Sequence, residues 1–228
     1  MILTRAEAAT QRAQGVRQAT DRPSQRRQSE QLTSLAVVRA TLECREARAE
    51  TMANGADGVR LSLYASVVDT PYEMYDFFGP YTEIVAAGAF DDTLRADPLV
   101  EFTVNHGAGG GLPMAHTRNG TLDLSADTTG LLYQPLVDPA RGDVADMLKA
   151  YDRGDLAESS FKFRITSGKW SPDYTEYTIT GVDLNRGDVS IVNFGANPHT
   201  ADATPREQLA PADVVDVRAA LLALHLAG

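Results

Sequence analysis

The strongest constraint on the fold is a series of short runs in which apolar and polar side chains alternate, each closed by a turn cluster. Val38, Ala40, Leu42 and Cys44 alternate with Val37, Arg39, Thr41, Glu43 and Arg45, the period-two pattern of a strand with one buried face. Asn54-Gly55-Ala56-Asp57-Gly58 marks a turn, and 59–68 reads as the returning strand of a hairpin. Further β-like runs fall at 81–86, 99–105, 120–126, 130–137, 158–166, 174–181 and 187–194, with turn signals such as Arg118-Asn119-Gly120 and Ser167-Gly168 between them. Two helical stretches interrupt the series. One covers 88–96, where Asp91 and Asp92 suit a first turn; the other covers 141–152 and stops at Arg153-Gly154. Short strands at this spacing predict a mainly β fold with flanking helices (α+β), built as a barrel or a sandwich.

Three regions follow from the pattern. Residues 1–31 are rich in Gln, Arg, Ala and Thr and hold few large apolar side chains, so they predict a flexible, Arg-rich arm. Residues 32–200 carry the β pattern as one domain. Residues 201–228 combine a polar linker, punctuated by Pro205 and Pro211, with an amphipathic helix at 212–226 whose stripe is Val214, Val217, Leu221 and Leu224. That stripe needs cover, either from its own domain or from a second copy in a homodimer.

The formal net charge is −10 and unevenly placed: residues 1–50 carry nine Arg, no Lys and six acidic side chains, leaving 12 basic against 25 acidic beyond them. An acidic body is repelled by phosphates, which argues against nucleic acid as substrate. Cys44 is the only cysteine, so the chain forms no internal disulfide and suits a reducing compartment. No run of 18 apolar residues exists, so no helix is expected to span a membrane, and the polar start lacks the apolar core of a secretory signal.

Candidate chemistry concentrates in three stretches. In Glu158-Ser159-Ser160-Phe161-Lys162-Phe163, alternation puts Ser159 with the two phenylalanines on the core face and presents Ser160 and Lys162 outward. A serine hydroxyl needs a base in reach before it is a nucleophile. Of the four histidines, His106 ends a strand beside the loop Gly107-Ala108-Gly109-Gly110-Gly111, while His116, His199 and His225 have no local partner. Asp188 opens the run Asp188-Val189-Ser190-Ile191-Val192 with Ser190 on its own polar face, where a carboxylate could orient an imidazole. Read singly, each is ordinary: an exposed strand serine, a histidine at a strand end, a strand-initiating aspartate. No Cys/His metal spacing, phosphate loop or Gly-x-Ser-x-Gly elbow occurs.

Together the stretches resemble the caudovirus prohead protease family, relatives of the herpesvirus assemblins. Five segments occur in the family's order. Glu83-Ile84-Val85-Ala86-Ala87-Gly88-Ala89-Phe90 resembles its Glu-x-Ile-x-Pro-Gly-Ala-Phe; Asn105-His106 resembles its Asn-His; Asp127-Thr128-Thr129-Gly130-Leu131 matches its Asp-x-x-Gly-Leu. Arg153-Gly154-Asp155-Leu156 leading to Ser160-Phe161-Lys162-Phe163 is similar to the segment ending in Ser-Phe-Gly-Phe, and Asp188-Val189-Ser190-Ile191-Val192 with Ala196-Asn197-Pro198 is similar to Glu-Val-Ser-x-Val and Pro-Ala-x-Pro. Lys162 stands where the family has glycine, Gly107 where it has Asp, Asp188 where it has Glu, and Gly195 where it has Pro. The resemblance implies a partly open β-barrel of the assemblin type and a serine endopeptidase that needs no cofactor or metal. Its nucleophile would be Ser160, its base His106, its orienting carboxylate Asp188, with backbone N–H groups near Gly195 and Ala196 as the oxyanion hole. The implied substrate is the scaffold or the scaffolding arm of the major capsid protein, cut inside the immature prohead in the host cytoplasm near shell and portal. Self-trimming would fall in the 1–31 arm or the 201–211 linker. A non-catalytic internal head or scaffold protein of the same lineage is the alternative, and a small-ester hydrolase a third.

Overall fold

The computed structural model describes residues 3–28, 46–53 and 55–195; the run at 37–45 and the helix expected at 212–226 lie outside the described residues. The strands are β1 (Arg27–Gln28), β2 (Glu46–Thr51), β3 (Asp57–Val67), β4 (Tyr72–Asp76), β5 (Gly79–Val85), β6 (Val100–Val104), β7 (Ala115–His116), β8 (Leu122–Ala126), β9 (Gly130–Val137), β10 (Glu158–Phe161), β11 (Arg164–Trp170), β12 (Glu176–Asp183) and β13 (Gly187–Val192). The helices are α1 (Arg5–Gly15), α2 (Asp91–Arg95) and α3 (Gly142–Arg153). The protein is mainly β. Three sheets form, in the orders β1-β4-β5-β12-β11, β10-β13-β6-β7 and β2-β3-β9-β8, and none closes on itself among the described residues. Most neighbours run antiparallel, but β5 pairs parallel with β12 and β6 parallel with β13.

The apolar faces enclose one core, to which Leu61, Phe102, Tyr133, Leu148, Val189 and Ile191 contribute fully buried side chains. The stripe Val144, Met147, Leu148 and Tyr151 seats α3 on this core, and Gly154, at φ 85°, ends the helix. The Asp-x-x-Gly turn has a direct physical reason. Asp127 Oδ1 accepts from the N–H groups of Thr129 and Gly130 at 2.7 and 3.0 Å, and a Cβ at residue 130 would lie 1.8 Å from the Ser66 carbonyl oxygen. Only glycine lets β9 approach β3 there.

Two predicted elements change shape. The helix expected over 88–96 is the short α2, because Gly88 takes φ 82° and the turn delays the helix to Asp91. The run expected as one strand over 158–166 breaks after Phe161, and its halves, β10 and β11, belong to different sheets.

Residues 1–31 read from composition as a flexible arm; residues 3–28 lie along the five-stranded sheet. A capping box of Thr4 and Glu7 starts α1. Its Arg12 is 0% exposed and bonds both oxygens of buried Asp76, at 2.8 and 2.9 Å, and the Tyr174 carbonyl at 2.7 Å, with Trp170 stacked 4.5 Å away. Composition counts apolar side chains, and here a saturated guanidinium supplies one of the anchors. Among the described residues no helix is long and apolar enough to cross a membrane.

Candidate active site

The sheet β10-β13-β6-β7 sets the three chemically marked stretches side by side. β13 lies between β10 and β6, pairing Ser190 with Ser160 on one side and with Thr103 on the other. Directly opposed residues share a face of a sheet, so these three side chains stand together, and the apolar residues between them face the core. Ser159 is on that inner side, buried, its hydroxyl 2.8 Å from the Tyr133 hydroxyl. Ser160 is half-buried on the outer side, midway along an edge strand, and its hydroxyl makes no hydrogen bond among the described residues.

β6 runs into a tight turn in which Asn105 and His106 both take positive φ, 48° and 58°. Each such residue with a Cβ costs on the order of 1–3 kcal/mol unless its surroundings fix it. They do. The buried Ser190 hydroxyl accepts from the His106 N–H at 2.9 Å and donates to the Thr103 carbonyl at 2.9 Å. The Asn105 side-chain oxygen accepts from the Asn193 N–H at 3.0 Å, and the Lys162 ammonium donates to the His106 carbonyl at 2.8 Å.

This turn brings the His106 ring back over β13, with Nδ1 2.6 Å from Asp188 Oδ1. Asp188 is 3% exposed. Its second oxygen lies 3.0 Å from Lys162 Nζ, so each carboxylate oxygen has one cationic or N–H partner. A carboxylate only accepts, which places the imidazole hydrogen on Nδ1 and leaves the Nε2 lone pair as a base. The structure thus joins His106 to Asp188 and sets Ser160 on the same face one strand away, with no hydrogen bond between Ser160 and His106.

The remaining candidates are placed as follows. The Gly195 N–H donates to the Glu158 carboxylate at 2.6 Å, and Ala196 lies outside the described residues. His116 Nδ1 accepts from the Arg118 N–H at 2.9 Å, a turn-capping contact; the residue lies in the register row of Asp188, two strands away across Glu101. His199 and His225 also lie outside the described residues. Among the described residues no group of three or more His, Cys, Asp or Glu side chains is arranged to hold a metal ion. Sequence reasoning left unassigned the bridge made by Lys162, the Ser190 hydroxyl under the turn, and the Asn105–Asn193 clamp. Alternation had put Lys162 beside Ser160 and Ser190 beside Asp188, but the β10–β13 register was needed to bring the pairs together.

Comparison with known proteins gives one result. A family model described as caudovirus prohead serine protease matches residues 46–213, and no curated protein and no solved structure matches.

Proposed function

The chain belongs to the caudovirus prohead serine protease family, and from that premise we propose that it is a serine endopeptidase of capsid maturation, with Ser160 as nucleophile, His106 as general base and Asp188 as orienting carboxylate. The observation that carries the residue assignment is the 2.6 Å contact of His106 Nδ1 with Asp188, on the sheet face that also bears Ser160. Ser160 Oγ attacks the scissile carbonyl carbon as its proton passes to His106 Nε2, and Asp188 stabilises the imidazolium. The tetrahedral intermediate collapses, the C–N bond breaks, and the leaving amine takes the proton from Nε2. Water, deprotonated by the same nitrogen, then cleaves the acyl–Oγ bond. Catalytic hydrogen bonds commonly tighten only with substrate bound, so closure of Ser160 onto His106 belongs to the substrate complex.

Gly195 and Ala196 are the proposed oxyanion donors. For Gly195 to serve, Glu158 must release its N–H. The substrate is the scaffold or the scaffolding arm of the major capsid protein, cut inside the immature prohead in the infected cell, with self-trimming and contact with shell or portal as further parts of the reading. Kinship with the assemblin barrel belongs to the same proposal, as does a homodimer through the terminal helix.

The test is cleavage of co-expressed capsid protein followed by mass spectrometry. Ser160→Ala is expected to lose about 10⁴–10⁶ in rate, His106→Ala a comparable factor, and Asp188→Ala less. Ser159→Ala, which alters the core partner of Tyr133, should retain activity. Undiminished cleavage by Ser160→Ala would assign the nucleophile elsewhere. The unbonded Ser160 hydroxyl and the occupied Gly195 N–H favour a second reading, a non-catalytic head or scaffold component; failure to label with a fluorophosphonate, beside an active control, would support it.

A further inference from the structure

We propose that the N-terminal segment builds part of the substrate site: Arg26 forms one wall of a side-chain pocket beside Ser160 that takes a small residue with a hydrogen-bond-accepting tip, aspartate or asparagine, next to the scissile bond. The inference rests on Ser160 being the nucleophile. Arg26 precedes the stretch that the family model matches, so family membership does not carry the assignment.

A cavity of about 40 Å³ opens beside β10, lined by Arg26, Ala65, Tyr72, Ser159, Ser160, Phe161 and Phe163. It has room for a short side chain. The walls are rigid. Phe161 and Phe163 stack with centroids 4.2 Å apart and planes 12° apart, Phe90 packs edge-on against Phe161, and the Arg26 guanidinium lies 5.0 Å from the Phe163 ring.

Arg26 is fixed from behind. The Glu83 side chain, fully buried, accepts from Arg26 Nε at 2.7 Å and from Arg26 Nη2, from the Tyr81 hydroxyl at 2.8 Å and from the Tyr72 hydroxyl. Backbone pairing sets the segment on either side: the Phe77 N–H donates to the Ser24 carbonyl at 2.8 Å, and β1 pairs with β4. With Nε and Nη2 engaged, Nη1 makes no hydrogen bond among the described residues, and the side chain stays 25% exposed at the mouth of the cavity. Glu83 neutralises the cation, so the wall offers directed N–H donors without net charge. Such a wall binds carboxylate and carboxamide alike and rejects an aliphatic side chain of equal size, which would leave a partly desolvated donor unpaired.

The experiment uses the full chain. Mass spectrometry first maps the bond cut in co-expressed capsid protein, and peptides spanning it are then varied at each flanking residue among Asp, Asn, Ala, Gly and Leu. An Asp or Asn beside the bond is expected, with kcat/KM falling about tenfold to a hundredfold when it becomes Ala. Because loss of Arg26 alone leaves Glu83 buried and unpaired, the variant of choice is R26Q/E83Q, which keeps hydrogen bonding and removes both charges; it should reduce the preference to within about threefold. Ala65→Val narrows the same cavity without touching the pair and should move preference toward Gly and Ala, which covers the case of a double variant that fails to fold. A mapped bond flanked by neither Asp nor Asn overturns the pocket. So does wild-type selectivity in both variants while Ser160→Ala is inert. Cleavage by Ser160→Ala would instead remove the nucleophile assignment and the pocket with it.

Discussion

Asp188 holds an imidazole on one oxygen and an ammonium on the other, and that division of labour gives the site its local character. Lys162 also ties down the carbonyl of His106 in a strained turn. Replacing it with Met keeps the stem and removes both contacts. A roughly tenfold drop in kcat with KM nearly unchanged is expected, because the loss falls on the orientation of His106 and not on substrate contact. Steady-state kinetics on a mapped peptide checks this, and a change confined to KM would make Lys162 a substrate-binding residue. Part of the arrangement was legible beforehand. Alternation correctly separated buried Ser159 from half-buried Ser160, and marked Asp188 and Ser190 as sharing a side. The contacts themselves were not legible, since residues 106, 162 and 188 meet only through strand register, which local pattern does not encode.

At the level of elements, the clearest departure is the corner between β10 and β11. The alternation of Ser160 to Arg164 continues through it, so nothing local announces a break. Tertiary crowding does: a Cβ on Gly187 would lie 2.1 Å from the Lys162 carbonyl oxygen, so β13 presses against the chain just where it leaves one sheet for another. β4 also escaped notice, because its inward residues end in Asp76, a carboxylate acceptable there only as the partner of Arg12. By contrast 130–137 and 141–152 were read nearly to the residue, their periods being long and their ends marked. The β2–β3–β8 side offers a test of its own. Hydrogen bonds from Arg60, then from Arg48, hold the Glu50 carboxyl down at about 2. A folded value below the unfolded one, near 4.5, stabilises above the unfolded value, and that stabilisation is lost as pH falls toward the folded one. Glu50→Gln should therefore cost less than about 1 kcal/mol at pH 7, given its solvent screening, and the deficit should shrink between pH 4 and 2. Urea titrations at several pH values measure it; a deficit independent of pH would mean that packing, not charge, is what Gln disturbs.

Across the whole molecule, the N-terminal segment and the β sheets are one cooperative object. Asp76 and Glu83 are both buried carboxylates whose cations, Arg12 and Arg26, come from that segment. Breaking one such pair strands a charge in the interior, at about 3–5 kcal/mol. Arg12→Met is expected to lose that much in denaturant titration and to open residues 3–28 to limited proteolysis; wild-type stability would show that Asp76 finds water or another donor. Composition could not foretell this docking, since it weighs apolar area and is blind to a saturated guanidinium. Connectivity has a temporal corollary. Ser160 and His106 belong to stretches that flank β13, whose parallel pairing sets Gly187 against Val100, and contacts so distant along the chain form late. A nascent polypeptide with both groups already made but β13 still to come lacks the strand between theirs. On the proposed assignment, the order of synthesis therefore delays assembly of the pair until β13 has been made.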